Sequence, residues 1–332
     1  MSRRVESLKL SGGFVLLLCA LACGPSGPFA YVTNERDGTV TVIDTREDRV
    51  VKTFEVGGRA RGVRAHGGLL YVARSTPSGK DYDPEENKVL AVDASDGGVV
   101  AEYEVGSDPE QLDLSRDGSA LYASNEDAGT ASVIDLKTGR PLATLVVGIE
   151  PEGVRTSPDG RWVYVTSETS NTVSVIDTRT NAVAASFAVD SRPRDAAFSP
   201  DGSRAYVTTE MGRTLLVVDT SAHKVVHRIG LPRGDGSVKP MGVVVSPDGR
   251  RVYVSTGRGN TVEVVSAETY EVVASVPVPG RPWGLALTPD GRKLYAASGL
   301  SDEVHVIDAE AGKLLTSIKA GAGPWGIAVG GQ

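Results

Sequence analysis

The sequence predicts an all-β fold built from repeated four-stranded sheets. One unit, residues 150–191, contains four short apolar runs, and each of them ends at a turn. Prolines that begin successive units recur at a nearly constant interval, at Pro109, Pro151, Pro193, Pro240, Pro282 and Pro324. A single sheet of this kind cannot bury both of its faces, so repeats with a period just above 40 residues pack against each other around a ring. The sequence therefore predicts a β-propeller.

The strands of the unit follow from its alternation of apolar and turn residues. We predict a first strand that begins at Val154, a tight turn at 157–160 (Ser-Pro-Asp-Gly), and further strands at 162–166, 173–176 and 182–189. Val, Ile and Tyr are frequent in these runs, as is typical of strands. Three short loops join them, so each unit is expected to be one antiparallel blade.

The phase of the repeat predicts seven blades and a closed ring. The first run of the mature chain, residues 31–34, corresponds to the second strand of the unit, whereas the last run, 323–329, corresponds to a first strand. We expect these two runs to pair, which completes blade one and covers both open edges. A single propeller domain is thus predicted over residues 29–332.

The first 22 residues predict an export signal. A basic start with Arg3, Arg4 and Lys9 precedes an apolar run, 14–22, that is too short to span a bilayer. Residues 20–23, Ala-Leu-Ala-Cys, resemble the lipobox of bacterial lipoproteins, which implies lipidation of Cys23; ordinary cleavage after Ala22 is the alternative. Residues 23–28 would form a tether. We expect a periplasmic or cell-surface protein, either an outer-membrane lipoprotein or one secreted to the periplasm, that meets the membrane only through its lipid.

Composition excludes several classes of function. Both cysteines, Cys19 and Cys23, lie in the leader region, so the predicted propeller has no thiolate nucleophile and no cysteine-ligated metal. A formal net charge of −7 argues against nucleic acid as a partner. The histidines, which we place in a lower turn (His66), a turn and strand (His223 and His227) and a third strand (His305), do not form a metal-binding spacing. We predict no bound cofactor.

The repeats also resemble a known family. Tyr31-Val32-Thr33-Asn34 and its counterparts at 122–125, 164–167 and 206–209 are similar to the YVTN-repeat propellers of exported bacterial and archaeal proteins. The ordered runs at 108–111, 150–153, 166–169, 192–194 and 323–326 resemble the propellers associated with pyrroloquinoline-quinone (PQQ)-dependent catabolism. This resemblance implies a periplasmic accessory to quinoprotein alcohol oxidation. Its implied partner is a quinoprotein dehydrogenase or a cytochrome, with PQQ involved only through that partner.

Variation among the repeats is concentrated on one face, which we call the upper face. It contains the loops between second and third strands and the exits from each blade. Both long insertions, 75–87 and 231–239, belong to this face, whereas the lower turns repeat Ser/Thr-Pro-Asp-Gly for reasons of turn chemistry. Insertions confined to one face of a repeat protein usually indicate its binding face.

A ring of dissimilar residues is predicted at the upper mouth of the channel. Directly after each unit start it contains Arg61, Glu110, Glu152, Arg194, Met241, Trp283 and Trp325; directly before are Arg59, Asp108, Glu150, Arg192, Lys239, Arg281 and Gly323. The mouth thus has a charged arc and an apolar arc. We interpret it as a site for a small anionic or amphiphilic ligand, or for a loop of a protein partner. The arginines would contact the carboxylates of this ligand, and the tryptophans would contact its flat or apolar part. The alternative is that these side chains fill the channel and pair with one another.

Two groups of acidic residues are weaker candidates for metal binding. Glu35, Glu126, Glu168 and Glu210 end second strands and could form a carboxylate collar around a divalent cation, although solvated strand ends are more common. Asp81, Asp83, Glu85 and Glu86 alternate in the first insertion. They lack the glycine and the final glutamate of a calcium loop.

Three functions remain open on the sequence. The leading hypothesis is a non-enzymatic accessory that binds a partner or small ligand at the upper face. The first alternative is a lactonase-like hydrolase in which Glu110 and Glu152 serve as acid and base or as metal ligands, but no histidine is expected at the upper face. The second alternative is a structural or interaction module at the cell surface, as in other YVTN-repeat proteins.

Overall fold

The computed structural model describes residues 28–76, 83–231 and 238–330. Within these ranges the chain forms seven antiparallel sheets of four strands each, and two short 3₁₀ turns, Pro84–Glu86 and Gly257–Gly259, are its only helical segments. The protein is a seven-bladed β-propeller, as predicted. The export signal and Cys23 lie outside the described residues, and so does Asp81.

The first four blades contain sixteen strands. Blade one has β1 (Phe29–Asn34), β2 (Thr39–Asp44), β3 (Arg49–Glu55) and the C-terminal β28 (Pro324–Gly330). Blade two has β4 (Arg59–His66), β5 (Leu69–Ser75), β6 (Lys88–Asp93) and β7 (Val99–Glu104). Blade three has β8 (Pro109–Leu114), β9 (Ala120–Asn125), β10 (Thr130–Asp135) and β11 (Pro141–Val146). Blade four has β12 (Pro151–Thr156), β13 (Trp162–Ser167), β14 (Thr172–Asp177) and β15 (Ala182–Ala188).

The remaining three blades follow in chain order. Blade five has β16 (Pro193–Phe198), β17 (Arg204–Thr209), β18 (Thr214–Asp219) and β19 (Lys224–Gly230). Blade six has β20 (Val243–Val245), β21 (Arg251–Ser255), β22 (Thr261–Ser266) and β23 (Val272–Pro277). Blade seven has β24 (Pro282–Leu287), β25 (Lys293–Ser298), β26 (Glu303–Asp308) and β27 (Lys313–Lys319).

The ends of the domain pair as the phase of the repeat predicts. Strand β28 lies antiparallel to β1, with Tyr31 opposite Ala328 and Val32 opposite Ile327. Blade one is therefore assembled from both ends of the domain, and the ring is closed. Several strand bounds differ from the prediction. β12 begins at Pro151 rather than Val154, and His66 ends strand β4 instead of lying in the turn after it. The other three strands of the unit differ by one residue at one or both ends.

The core lies between neighbouring blades. The second strand of each blade has a buried tyrosine at the same position. These residues are Tyr31, Tyr71, Tyr122, Tyr164, Tyr206, Tyr253 and Tyr295. The hydroxyl of Tyr253 donates to the carbonyl of Ala309 in the next blade at 2.9 Å, and that of Tyr164 hydrogen-bonds Nδ1 of His223 at 2.7 Å. These two tyrosines therefore combine apolar burial with a polar link from blade to blade, whereas the buried hydroxyl of Tyr31 has no hydrogen-bond partner among the described residues. Within the described ranges, no helix is long and apolar enough to cross a membrane.

Candidate functional site

The inner strand of a blade begins with a bulge at the channel mouth. In blade four Pro151 pairs with Ser167, but the next pair joins Val154 and Val165, so the register shifts by one residue. Blades three, five and seven have the same shift after their first proline. A bulge takes residues out of the regular alternation of a strand and redirects their side chains. The mouth residues of these four blades, Glu110, Glu152, Arg194 and Trp283, lie within this irregularity.

A hydroxyl group at the end of the second strand holds this bulge in place. Thr166 accepts a hydrogen bond from the Gly153 N–H at 2.8 Å and donates to the carbonyl of Arg194, in the next blade, at 3.1 Å. Thr33, Ser124, Thr208 and Ser255 make the same pair of contacts in their own blades. Each of these hydroxyls therefore fixes the mouth residue of the following blade.

Glycines let the inner strands approach each other just below the mouth residues. A Cβ at Gly284 would lie 2.4 Å from the carbonyl oxygen of Trp325, and one at Gly326 would lie 2.3 Å from that of Arg61. Two blades have a side chain at this position instead, Gln111 and Asp195. Both residues line the pocket described below, and our sequence analysis missed them. The sequence does contain a signal for these two residues, because the same position is a glycine in the other units.

Arg61 is surrounded by three carboxylates. Its guanidinium contacts Glu110, whose side chain is fully buried, and lies 3.1 Å from Oε1 of Glu35 and 3.7 Å from Oε2 of Glu126. Glu35 is shared with Arg59, which lies 3.0 Å away. Acidic groups therefore outnumber basic groups in this part of the charged arc.

Arg194 has a similar environment on the other side of that arc. It contacts Glu168 and lies 3.0 Å from Glu152 and 3.7 Å from Glu210. Arg192, nearer the rim, also contacts Glu168 and lies 3.6 Å from Glu210. Glu168 and Glu210, which the sequence analysis assigned to a separate carboxylate collar, are thus part of one ion-pair network with the mouth arginines.

The apolar arc is built on a pair of indole rings. The ring centroids of Trp283 and Trp325 are 5.7 Å apart, with 39° between their planes. Guanidinium groups lie over both rings: Arg281 and Arg194 are 4.8 and 5.4 Å from the Trp283 centroid, and Arg61 is 5.6 Å from that of Trp325. These cation–π contacts connect the apolar arc to the charged arc.

A pocket of about 40 Å³ lies between the two arcs. Its lining consists of Gln111, Glu152, Arg194, Asp195, Met241, Gly242, Trp283, Gly284 and Trp325. Five predicted mouth residues therefore meet in one cavity. Of the other candidates, Arg61 and Arg281 contact the lining residues Trp325 and Trp283. Glu110 is joined to the pocket through Arg61, and Arg192 through Glu168, which contacts Arg194.

Burial controls the protonation of the mouth carboxyls. It raises the pKa of Glu152 to about 7, against the opposing effect of Arg194, and the nearby carboxyl of Glu126 adds to the increase. Burial also raises the pKa of Glu126 itself. For Glu210 the cost of burial is outweighed by Arg194 and Lys239, so its pKa is lowered. Glu152 is therefore the pocket carboxyl whose charge changes near neutral pH.

A group of carboxylates in blade three is close enough to share a cation. Ligand oxygens within 4.8 Å of one another come from Asp108, Glu110 and Glu126. This group differs from the predicted collar, because Glu168 and Glu210 are paired with arginines instead. Guanidinium groups already lie beside it, with Arg59 3.5 Å from Asp108 and Arg61 3.7 Å from Glu126.

The acidic residues of the first insertion have local roles where the structure describes them. Oδ1 of Asp83 accepts a hydrogen bond from the N–H of Glu85 at 3.0 Å, which caps the 3₁₀ turn. Glu86 lies 2.9 Å from Arg74. Helix capping and an ion pair therefore account for this part of the sequence.

The histidines lie away from the pocket. His305 is buried between Oγ of Ser317 and the carbonyl of Pro279, at 2.8 and 3.1 Å, and burial lowers its pKa. His223 contacts Tyr164 in the blade interface. None of the residues that line the pocket is a histidine, so its ionisable groups are carboxyls and a guanidinium.

Two family models match different parts of the chain. Residues 178–329 match a model described as "Lactonase, 7-bladed beta-propeller", and residues 30–187 match one described as "Outer membrane protein assembly factor BamB". Both matches support a β-propeller. Among curated proteins, none is significantly similar to this chain in sequence.

Solved structures with the same architecture come from diverse sources. Hydrazine synthase of Kuenenia stuttgartiensis is 23% identical with a TM-score of 0.72, and the alignment covers 81% of this chain and 89% of that one. A functionally unknown protein from Desulfotomaculum acetoxidans is 19% identical (TM-score 0.74; 91% and 98% covered), and a protein from Lactobacillus plantarum is 16% identical (0.78; 92% and 99%). At these identities the similarity establishes the fold alone.

Proposed function

We propose that this protein is an exported, non-enzymatic β-propeller that binds a compact ligand, or an inserted loop of a protein partner, in its upper channel mouth. The convergence of the dissimilar mouth residues on one pocket is the observation that supports it. Glu152, Arg194, Met241, Trp283 and Trp325 occupy equivalent places in successive repeats, yet they differ in chemistry and line the same cavity. Positions that maintain a repeat fold tend to be alike, so variation at one face favours binding.

The cellular setting is part of the same proposal. The leader sequence and the lipobox-like residues 20–23 favour a periplasmic protein anchored by lipid on Cys23. The resemblance to propellers of PQQ-dependent catabolism favours an accessory role in quinoprotein alcohol oxidation, with a dehydrogenase or cytochrome as partner. The match of residues 30–187 to a model named for an outer-membrane assembly factor adds support for an outer-membrane location.

Co-purification tests the proposal directly. The tagged full-length protein is isolated from membranes of its own host in parallel with a variant in which Glu110, Glu152 and Arg194 are replaced. The matched control replaces Glu47 and Glu268, exposed carboxylates of lower-face turns. We expect the control to retain the partners of the wild type and the mouth variant to lose them. Recovery of the same partners with all three proteins would contradict an upper-face site.

A hydrolase remains the second candidate because two observations favour it. Residues 178–329 match a model described as a seven-bladed lactonase, and Glu152 combines a pKa of about 7 with a place in the pocket. In such a reaction, ionised Glu152 would take a proton from the water that attacks the lactone carbonyl, and would return it to the ring oxygen as the ring C–O bond breaks.

A panel of lactones, assayed with and without added divalent ions, separates the two candidates. A hydrolase requires turnover that disappears in Glu152→Gln and persists in Glu268→Gln. If the protein only binds its ligand, neither the wild type nor the variants hydrolyse any lactone. Lactone hydrolysis that depends on Glu152 would replace the binding proposal with the enzymatic one.

A further inference from the structure

We propose that the upper face binds a divalent cation of the calcium type between Asp108, Glu110 and Glu126. Oxygen atoms of these three carboxylates lie within 4.8 Å of one another. This spread fits a single Ca²⁺ ion, because opposite ligands at about 2.3–2.6 Å from the ion are up to about 5 Å apart. None of the three residues lines the pocket, so the cation site is distinct from the proposed ligand site.

Glu110 is the buried member of this group. Its side chain is fully buried, and its Oε1 contacts the guanidinium of Arg61. Its Oε2 is also buried and accepts no hydrogen bond from the described residues. A buried carboxylate oxygen without a partner is costly, and a bound cation would supply that partner. Asp108 and Glu126 are 15% and 24% exposed, so an ion from solvent can reach the group.

Comparison of the repeats shows that Glu126 lacks a cation of its own. The other glutamates at this place in a blade contact the basic residue that directly precedes the unit start of the following blade. The pairs are Glu35 with Arg59, Glu168 with Arg192, and Glu210 with Lys239. For Glu126 that residue is Glu150, and within the described chain its one ion pair is a long one, 3.7 Å from Arg61. An external cation would take the place of the missing basic residue.

The charge balance of the mouth favours a dication at this place. Arg59, Arg61, Glu35 and the three carboxylates form a closed set of ion pairs in the described chain. Four carboxylates there share two guanidinium groups, so the formal charge is −2 when all are ionised. The neighbouring network, by contrast, is neutral, because three carboxylates pair with three basic groups.

The ligand atoms and the position of Arg61 are compatible with such an ion. All three ligands are carboxylate oxygens, which favour a hard cation such as Ca²⁺ over Zn²⁺. Arg61 also lies 3.1 Å from Glu35, so its guanidinium keeps a carboxylate partner when the ion occupies the remaining oxygens. One divalent ion would then neutralise the whole set of ion pairs.

Calcium binding to the full-length protein tests this site. The protein is freed of metal with EDTA and titrated with CaCl₂ in a calorimeter at pH 8, with NaCl present to screen non-specific attraction. Thermal unfolding is then compared with and without millimolar CaCl₂. We expect one Ca²⁺ per chain and a melting temperature about 2–5 °C higher with the ion, because it binds the folded state. MgCl₂ should give a smaller shift, since Mg²⁺ requires a tighter octahedral set of ligands.

Three variants assign the ion to this group of carboxylates. Glu126→Gln removes one ligand charge and should weaken Ca²⁺ binding by about tenfold or more. Glu150→Arg keeps all three ligands but supplies the basic residue that other blades have, so it should abolish the effect of Ca²⁺ on the melting temperature. Arg192 has the same left-handed backbone as Glu150, with φ of 59° and 55°, so this backbone accommodates an arginine. Glu268→Gln, on the lower face, is the control and should bind Ca²⁺ as the wild type does.

Two results would overturn the site. The first is a wild-type protein that gives neither heat nor a thermal shift with CaCl₂. The second is wild-type affinity for Ca²⁺ in either Glu126→Gln or Glu150→Arg, which would place the ion elsewhere on this acidic protein. Circular dichroism verifies the fold, and each of these two variants decides the matter if the other does not fold. Neither result affects the proposed function, which depends on the co-purification and lactone experiments.

Discussion

Glu152 shows how the surroundings of one residue determine its chemistry. Its carboxyl group is buried in the pocket, and its nearest cation, Arg194, is shared with two other carboxylates. Burial disfavours the charged form, and one shared guanidinium does not fully compensate, so the pKa is raised to about 7. The sequence identifies this glutamate as a mouth residue, but it contains no measure of burial or of competition for the arginine.

The raised pKa predicts a pH-dependent effect of Glu152→Gln on stability. In the folded protein the group titrates near 7, compared with about 4.3 in an unfolded chain, so its contribution to stability is present at low pH and lost as pH rises through 7. Glutamine stays neutral, and Arg194 keeps Glu168 and Glu210 as partners. We expect the variant to exceed wild type in unfolding free energy by about 3 kcal/mol at pH 8 and by only about 1 kcal/mol at pH 5.

Urea unfolding at both pH values measures this difference. The charged groups around Glu152 that also influence it are Arg194, Arg192, Glu126 and Glu210. Glu268→Gln, an exposed substitution on the lower face, serves as the control and should change stability little at either pH. A variant that is less stable than wild type at pH 8 would show that the ionised Glu152–Arg194 pair stabilises the fold.

At the scale of the strand, local patterns account for what could be predicted. Turn residues and alternating apolar residues repeat in every unit, so the blades follow from them, and the phase of the repeat predicts that β28 pairs with β1. The mouth was predictable only as a ring of positions. Because a bulge shifts the register after Pro151, simple alternation does not give the direction of Glu152, nor which side chain pairs with Arg194. Which side chains from different blades pair with each other is determined by the closure of the ring and not by any local pattern.

The hydroxyl of Thr166 is the element that sets this local geometry, so Thr166→Val should disturb fold and site together. Valine has the same shape but leaves the Gly153 N–H without its acceptor and the Arg194 carbonyl without its donor. Since Thr166 is fully buried, we expect a loss of about 1–3 kcal/mol in unfolding free energy and a change in the fluorescence of the pocket tryptophans. Chemical unfolding and tryptophan fluorescence measure the two effects.

Thr316→Val is the matched control, because Thr316 is exposed on the outer strand β27. The same chemical change there should leave stability within about 0.5 kcal/mol and leave the pocket unaffected. Equal effects at both positions would mean that loss of a threonine hydroxyl, and not support of the bulge, explains the result.

For the whole molecule, ring closure and the binding site depend on one strand. Strand β28 completes blade one, and its residue Trp325 forms part of the pocket wall. Arg61, in the following inner strand, lies against that ring. An open ring would therefore lose both an edge pairing and an aromatic side of the site.

Truncation of the chain before Gly323 should lower the melting temperature sharply. It removes Trp325 and Ile327, whose burial contributes about 1.5–3 kcal/mol each, and the partly buried Val329, whereas a domain of this kind has a net stability of only about 5–15 kcal/mol. It also exposes the edge of β1.

A chain that ends at residue 330 keeps β28 and should melt as wild type does in a thermal scan followed by circular dichroism. A peptide covering residues 322–332, added in trans, should restore part of the lost stability by occupying the vacant edge, and an unchanged midpoint in the truncated chain would show that blade one does not need its fourth strand.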